Sequence, residues 1–291
     1  MERLYDKLKA YSESDFYAFH MPGHKRKMHM SWDANPYTVD ITEIEGFDDL
    51  HHAEGILKEA QERAARIYHA DETHFLVNGS TAGILSAVMG CTHRGDKILV
   101  ARHCHKSIYH AIYMNGLVPR YVYPEFDISM HMNGEISKED VAKALAAEPD
   151  IKAVVIVSPN YDGVVSDVKG IAEVAHSYRI PLIVDEAHGA HFHFSNYFPA
   201  SAAELGADLV IQSFHKTLPA MTQTAVLHNC SDRVDSRLIR RFMGIYQTSS
   251  PSYILMASID ACMDTMAAEG KQMFRDFTRI LEQTRKRLSV C

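Results

Sequence analysis

Short apolar runs alternate with helix-like segments along most of this 291-residue chain. Seven runs have the length and composition of strands, and they lie at residues 73–77, 97–101, 118–122, 151–157, 181–185, 208–212 and 223–228. Because several are apolar throughout rather than at every second position, the pattern predicts strands buried on both faces. The predicted fold class is therefore α/β, with a mostly parallel, seven-stranded sheet sandwiched by helices.

Segments with helical spacing separate these runs. An apolar stripe from Ala53 to Tyr68 predicts a helix before the first strand, and a stripe that begins near Ser252 predicts a long final helix. Residues 1–50 lack such a pattern beyond a short charged helix at their start, so we expect an N-terminal arm (1–50) and one large domain (51–291). Further helices are predicted at residues 80–91, 105–114, 137–147, 167–177 and 230–242.

Composition and charge exclude several classes of protein. The net charge of −7 argues against a nucleic-acid-binding surface. The residues after Met1 are too charged for a signal peptide, and no apolar stretch approaches the roughly 20 residues of a membrane helix. Five cysteines, an odd number without a C-x-x-C pair, favour reduced thiols and a cytoplasmic location. We expect neither a nucleic-acid partner nor a membrane.

Polar residues follow the strands that are predicted to be parallel. In open α/β sheets, ligands bind beyond the carboxyl ends of the strands. The segments at five of these ends are therefore predicted to surround one crevice. They are residues 78–81 (NGST), 102–107 (RHCHKS), 158–161 (SPNY), 185–188 (DEAH) and 213–217 (SFHKT).

A lysine and an aspartate at two of these strand ends indicate the chemistry of the crevice. Lys216 follows the short apolar strand predicted at 208–212, and Asp185 ends the one at 181–185. An amine nucleophile opposite a buried anion suits pyridoxal 5'-phosphate (PLP), because the lysine forms a Schiff base and the carboxylate pairs with the pyridinium nitrogen. Ser213 and His215 can donate to the phosphate of the cofactor, and His188 is placed to lie near Asp185.

Two other segments have a cofactor interpretation and a plainer alternative. Ser80 and Thr81, with the backbone amides at the start of a predicted helix, can bind a phosphate. Ser80 can instead simply cap that helix. His105 can stack on a flat cofactor ring, or it can be a surface or capping histidine.

A metal site is a further alternative. His188, His191 and His193 are close together in sequence, as metal ligands often are. Their spacing, however, matches neither one face of a helix nor one face of a strand. No metal is therefore predicted.

Seven short motifs occur in order over nearly the whole chain. They lie at residues 20–25 (HMPGHK), 40–51 (DITEI, then DDLH), 78–81 (NGST), 103–107 (HCHKS), 185–189 (DEAHG), 213–217 (SFHKT) and 248–252 (TSSPS). Together they resemble the motifs of the PLP-dependent Orn/Lys/Arg decarboxylases, whose fold is aspartate-aminotransferase-like (fold type I). The resemblance implies that the large domain is the PLP-binding domain of such an enzyme.

The resemblance implies a role for each matched position. Lys216 corresponds to the lysine that binds the cofactor covalently, and Asp185 corresponds to the partner of its ring nitrogen. His105 corresponds to the residue stacked on the ring, and His188 is expected beside it. Contacts with the phosphate are implied for Ser80, Thr81, Ser213 and His215.

The resemblance also concerns the surroundings of the crevice. Asn160 or Tyr161 is expected at its border, and residues 248–252 are expected to face it or a neighbouring subunit. Enzymes of this kind are usually homodimers or larger homo-oligomers. Family members normally continue into a C-terminal small domain, and we expect that domain to be absent here.

The implied function is PLP-dependent decarboxylation of a basic amino acid (lysine, arginine or ornithine) to the amine and carbon dioxide, as in polyamine biosynthesis. The same lysine and aspartate serve other fold-type-I reactions, so an aminotransferase or another lyase is an alternative. A catalytically silent PLP-binding fragment is a second alternative, since substrate-ordering groups of the C-terminal domain would be missing. A metal-binding protein, built on the 18 histidines, is a third.

Overall fold

The computed structural model describes residues 7, 10–17, 19–25 and 36–289. The short charged helix predicted at the start of the arm lies mostly outside these residues. The strands are β1 (Glu72–Leu76), β2 (Lys97–Ala101), β3 (Val118–Val122), β4 (Phe126–Asp127), β5 (Met132–Asn133), β6 (Ile151–Val157), β7 (Leu182–Asp185), β8 (Leu209–Gln212) and β9 (Ala225–Asn229). The helices are α1 (Pro36–Val39), α2 (Ile56–Tyr68), α3 (Gly79–Cys91), α4 (Lys106–Asn115), α5 (Lys138–Ala147), α6 (Val168–Ser177), α7 (Phe214–Thr217), α8 (Ser236–Tyr246) and α9 (Tyr253–Leu288).

Seven of the strands form one sheet, in the order β1-β9-β8-β7-β6-β2-β3. Neighbouring strands are parallel except where β9 pairs with β1 and with β8, and there the pairing is antiparallel. The prediction of a mostly parallel, seven-stranded α/β sheet is therefore confirmed. The hairpin β4–β5 was not predicted, because strands of two residues are too short to produce a hydrophobic pattern.

Alternate residues of the strands bury opposite faces of the sheet. Ile98 and Val100 pack in one apolar cluster with residues of α3 and α4. Leu99 and Ile156 pack in another with residues of α5 and α6. Because side chains alternate along a strand, a run that is apolar at every position requires helices on both faces, which is what the structure has.

The long helix α9 packs mainly through its first half. Met256, Ile259, Cys262 and Met266 are buried in a cluster with residues of α2 and with Phe194. Although α9 has 36 residues, no helix in the described part of the chain is long and apolar enough to cross a membrane. The predicted long final helix is confirmed.

The outer edge of the sheet is closed by two glutamine side chains. Strand β1 is an edge strand, so alternate backbone groups lack a neighbouring strand. Gln61 Oε1 accepts a hydrogen bond from Phe75 N at 3.0 Å. Gln247 Oε1 accepts from Val77 N at 2.8 Å, and its Nε2 donates to Phe75 O at 3.3 Å. These bonds hold the end of β1 directly before the segment 78–81.

One predicted helix begins later than expected. The prediction of 230–242 included residues that form a turn, and α8 runs instead over Ser236–Tyr246. Asp235 caps α8 by accepting from Arg237 N at 2.9 Å. Ser231 Oγ donates to the buried Asp208 at 2.5 Å, which holds the preceding residues in the turn. The division of the chain at residue 50 stays a prediction.

Candidate active site at the carboxyl edge of the sheet

A cavity of about 280 Å³ opens at the carboxyl ends of the parallel strands. This is the edge at which α/β sheets bind their ligands. Its lining includes all eight residues predicted to contact a cofactor, and these are Ser80, Thr81, His105, Asp185, His188, Ser213, His215 and Lys216. The remaining lining residues are Gly79, Ile84, His103, Val157, Tyr161 and Ala187.

Lys216 lies in the short helix α7, directly after β8. Its Nζ lies 3.0 Å from His188 Nε2. Burial lowers the pKa of the Lys216 amine, and the nearby Asp185 carboxylate opposes part of that effect. Lys216 therefore loses its proton more readily than a surface lysine, as an amine nucleophile requires.

His188 is a neutral imidazole in this position. Burial and the charge of Lys216 lower the pKa of His188 to about 4. The Lys216 ammonium can only donate, so Nε2 of His188 accepts and its Nδ1 carries the proton. The ring of Tyr161 lies edge-on, with its centroid 6.0 Å from that of His188. His188 thus orients the Lys216 amine without adding a charge.

Asp185 ends strand β7, and its side chain is fully buried, with 3% of the residue exposed. Burial raises the pKa of this carboxyl to about 6, although the Ala187 N–H and the Lys216 charge both act to lower it. The hydrogen bond from Ala187 N to Oδ1 measures 3.1 Å. A buried carboxylate with so little compensation is suited to a cationic ligand atom.

One end of the cavity carries hydroxyls and free backbone amides. Ser80 Oγ and Ser213 Oγ lie 2.5 Å apart, although 133 positions separate them in sequence. Helix α3 begins at Gly79, whose φ of +71° lies in the left-handed region that favours glycine. The Asn78 side chain does not cap this helix, so its first amide groups can bind an anion.

His215 borders the same end of the cavity. Its Nδ1 lies 2.9 Å from the Thr224 carbonyl oxygen, to which it must donate. Burial lowers the pKa of His215. Contact with a phosphate would therefore use Nε2, which donates a hydrogen bond only when the ring is protonated.

His105 has the capping role that the sequence offered, and its stacking on a cofactor ring stays a prediction. It caps α4, since its Nδ1 accepts from Ser107 N at 3.3 Å and lies 2.8 Å from Ser107 Oγ. The ring also lines the cavity. Burial lowers the pKa of His105, and the charge of Lys216 lowers it further, so a neutral ring is available to lie against a ligand.

Two expectations concerned the border of the cavity. Tyr161 lines the cavity, whereas Asn160 does not, because its amide donates to Asn133 O at 2.9 Å and holds the β4–β5 hairpin. Residues 248–252 lie outside the lining, where Thr248 N donates to Asn78 Oδ1 at 3.1 Å. The second half of that expectation, contact with a neighbouring subunit, stays a prediction.

Sequence reasoning did not single out Ala187 or His103. Ala187 lies between Asp185 and His188 in the chain, and its small side chain leaves space in the cavity. The Nδ1 atom of His103 is buried without a hydrogen-bond partner among the described residues. His103 is the first residue of the 103–107 motif and Ala187 lies within the 185–189 motif, so membership of a motif was the signal that could have identified both residues.

The three clustered histidines do not share one site. His188 faces Lys216. His191 packs among aromatic rings, with its centroid 4.4 Å from that of Phe198, and burial lowers its pKa to about 4. His193 Nδ1 lies 2.7 Å from a Glu204 oxygen. Each histidine thus has different surroundings.

A second cavity, of about 380 Å³, lies beside the outer edge of β1. It contains none of the residues predicted for the site. Within its lining, Glu72 lies 2.7 Å from Arg240 and 3.1 Å from His74. The smaller cavity brings the Lys216 amine, the buried Asp185 carboxylate and the other predicted residues together, so it is the candidate active site, although the second cavity is larger.

Comparison with known families identifies the chain's relatives. Residues 3–290 match the family model described as Orn/Lys/Arg decarboxylase, major domain. The arginine decarboxylase of Bacillus subtilis (strain 168) is 38% identical over 98% of this chain and 60% of its own length. The arginine decarboxylase of Bacillus anthracis is 36% identical over 98% of this chain and 59% of its own length. The chain thus spans about 60% of the length of these relatives.

Solved structures show the same fold. The constitutive lysine decarboxylase of Escherichia coli superposes with a TM-score of 0.78 at 22% identity, and the match covers 97% of this chain and 43% of that one. An N-succinyldiaminopimelate aminotransferase from Mycobacterium tuberculosis gives a TM-score of 0.61 at 21% identity, over 80% of this chain and 61% of that one. The fold of the chain is therefore that of the fold-type-I PLP enzymes.

Proposed function

The chain belongs to the Orn/Lys/Arg decarboxylase family, and from that premise we propose that it binds PLP in the candidate active site and decarboxylates a basic amino acid. PLP is the cofactor of this family. The observation that supports the proposal most strongly is the single cavity lined by an amine, a buried carboxylate and a group of hydroxyls. These three kinds of group match the three functional ends of PLP.

The residues fit the cofactor part by part. The Lys216 amine is the nucleophile for the aldehyde, and the buried Asp185 is the anion for the ring nitrogen. His105 and Ala187 line the cavity where a flat ring has to lie. The phosphate suits the end with the start of α3 and the hydroxyls of Ser80, Thr81 and Ser213, with His215 at its border.

The side chains divide the work of the reaction. Bound PLP supplies the conjugated ring that accepts the electron pair released when carbon dioxide leaves. Asp185 would hold a proton on the ring nitrogen, because a cation there compensates the burial of its carboxylate. His188 holds the Lys216 amine in place through its Nε2. His105 would lie against one face of the bound ring, because it lines the cavity.

Arginine is the first substrate to test. Relatives named arginine decarboxylase are 36% to 38% identical to the chain. The lysine decarboxylase LdcA of Pseudomonas aeruginosa is 28% identical. These differences in identity support arginine over lysine.

A spectroscopic and product assay tests the proposal. Purified chain with PLP should show the absorbance of a lysine-bound cofactor, and arginine, lysine or ornithine should then release carbon dioxide and an amine. Conversion of the cofactor to its amine form would indicate an aminotransferase instead. Cofactor binding without turnover of any of the three amino acids would indicate a silent PLP-binding fragment.

A matched pair of lysine variants gives the control. Lys216→Ala should abolish both the absorbance band and turnover. Lys169→Ala, on the exposed face of α6, should change neither. Retention of the band by Lys216→Ala would refute the assignment of the nucleophile.

We also propose a homodimer or larger homo-oligomer, a cytoplasmic location and a role in polyamine biosynthesis. Support for self-association comes from the arm, where Phe16, Tyr17 and Phe19 are 66% to 91% exposed. Aromatic side chains are enriched in the buried centres of protein interfaces. Sedimentation of the purified chain tests this proposal, and a monomer over a wide range of concentrations would contradict it.

A further inference from the structure

We propose that Gly23, in the N-terminal arm, is a positioning residue for Lys216. The inference rests on the proposed function, in which Lys216 is the nucleophile. Gly23 lies far from Lys216 in sequence and outside the cavity lining, but its backbone lies directly against α7. Gly23 N donates a hydrogen bond to His215 O at 2.7 Å.

The helix that carries Lys216 needs such support. Helix α7 has four residues, and a single helical turn is unstable by itself in water. Its internal bonds are few, with Leu218 N donating to Phe214 O at 2.8 Å and Lys216 N lying 3.3 Å from Ser213 O. Phe214 is fully buried and anchors one side of the helix. The Gly23 contact holds another side.

The accepted carbonyl is the one that determines the position of Lys216. The His215 carbonyl belongs to the same peptide group as the Lys216 nitrogen, and that group is planar. The hydrogen bond from Gly23 N therefore fixes the plane from which the Lys216 side chain starts. The 3.0 Å contact between Lys216 Nζ and His188 Nε2 depends on that starting orientation.

Only glycine fits at position 23. A Cβ atom there would lie 2.8 Å from Leu218 O, 3.2 Å from Lys216 O and 3.3 Å from Leu218 N. All three are backbone atoms, so no change of side-chain rotamer can relieve the contact. Any larger residue has to move the arm and α7 apart.

The loop around Gly23 has its own hydrogen bonds, so it can act as a fixed support. Lys25 Nζ donates to His20 O at 2.7 Å, and Lys25 N donates to Pro22 O at 3.3 Å. Tyr11 OH lies 2.6 Å from His20 Nε2. Residues 20–25 are thus held together on the surface of α7.

The test compares Gly23→Ala with Gly244→Ala in the full chain. Position 244 is the matched control, because a Cβ there meets no atom closer than 3.9 Å. Displacement of reacting groups by about 1 Å lowers rates by up to about a hundredfold. We expect Gly23→Ala to lower kcat for the amino-acid substrate by about ten- to a hundredfold with little change in KM, and Gly244→Ala to leave both unchanged.

A second readout needs neither cofactor nor turnover. In the cofactor-free protein, the rate at which an acylating reagent modifies Lys216 is measured against pH by peptide mass spectrometry, with the exposed Lys169 as internal reference. Wild-type Lys216 should react at lower pH than Lys169, because its pKa is lowered. In Gly23→Ala the Lys216 profile should shift toward that of Lys169, because α7 moves and the Lys216 amine becomes more hydrated.

Lys25→Met serves if Gly23→Ala does not fold, because it removes only the bond to His20 O. We expect the same change in the Lys216 profile, to a smaller extent. If these residues only stabilise the fold, both variants should have a lower melting temperature and an unchanged Lys216 profile. That result in both variants would overturn the inference. Failure of wild-type protein to bind PLP would instead contradict the proposed function and leave this readout intact.

Discussion

Replacing Asp185 by asparagine should stabilise the cofactor-free protein while impairing cofactor binding. The substitution keeps the shape of the side chain and an oxygen that can accept from Ala187 N. Burial raises the pKa of Asp185 from 3.8 to about 6. Each unit of such a shift corresponds to about 1.4 kcal/mol, so the charged carboxylate destabilises the folded, cofactor-free state by about 3 kcal/mol.

The pH dependence follows from the sign of this shift. The folded protein holds the Asp185 proton more tightly than the unfolded chain does, so this contribution to stability is present below pH 3.8 and is lost as pH rises to about 6. Asp185→Asn has no carboxyl to ionise at this position, so it does not lose this stability as pH rises. Urea denaturation of both proteins without PLP should therefore give a difference near zero at about pH 3 and about 3 kcal/mol at about pH 8.

PLP should reverse this ranking. The protonated ring nitrogen would be the cationic partner that the Asp185 carboxylate lacks in the cofactor-free protein. The wild type should therefore gain more stability from PLP than Asp185→Asn does. Asp232→Asn, at an exposed position, is the matched control and should change the stability little, with or without PLP. Asp185→Asn being less stable than the wild type at pH 8 without PLP would refute the assignment of an unpaired buried charge.

Three further variants test separate parts of the structure. Ser80→Ala should weaken PLP binding about tenfold, as expected for loss of a hydrogen bond to a charged group, and should not weaken binding of pyridoxal, which lacks the phosphate. Gln247→Ala should destabilise the fold by about 2 kcal/mol in urea denaturation, because Val77 N and Phe75 O lose their partner. His191→Phe should stabilise it by about 1 kcal/mol, since His191 Nδ1 is buried without a partner in the described part of the chain. Burial lowers the pKa of His191 from 6.5 to about 4, so the wild type loses stability as pH falls through that range and His191→Phe does not.

Each of these variants has a contradicting result. Equal weakening of PLP and pyridoxal by Ser80→Ala would place Ser80 away from the phosphate. Gln272→Ala, in the exposed part of α9, is the control for Gln247→Ala, and equal effects would refute the role of Gln247 at the sheet edge. If His191→Phe does not become more stable relative to the wild type as pH is lowered toward 5, the buried His191 ring has a polar partner that offsets its burial.

The strands were predictable because the sheet is covered on both faces. Runs such as Ile151–Val157 are apolar at almost every position, and such runs are rare outside buried strands. The reversed direction of β9 was not predicted, because the apolar pattern of a strand is the same in either direction. The predicted strands 208–212 and 223–228 leave about 10 residues between them, fewer than the dozen or more that a parallel crossover needs, and that was the available signal.

The eight residues predicted for the site do line one cavity, but their contacts with one another were not predictable, and their roles stay predictions. Strand ends meet at one edge of a parallel sheet, so polar residues at those ends could be grouped from sequence. The contact between Ser80 and Ser213 depends on how α3 packs beside β8, and no local pattern encodes it. The same holds for Gly23. The requirement for glycine there comes from three backbone atoms of Lys216 and Leu218, and their proximity to residue 23 cannot be read from the sequence.

Borohydride reduction followed by peptide mapping tests the role of Lys216. Purified protein is saturated with PLP and reduced, and the site of the resulting pyridoxyl label is located by mass spectrometry. We expect one label per chain, on Lys216, because its amine shares a cavity with the buried Asp185. A label on any other lysine, or no stable label at all, would contradict the proposed cofactor site.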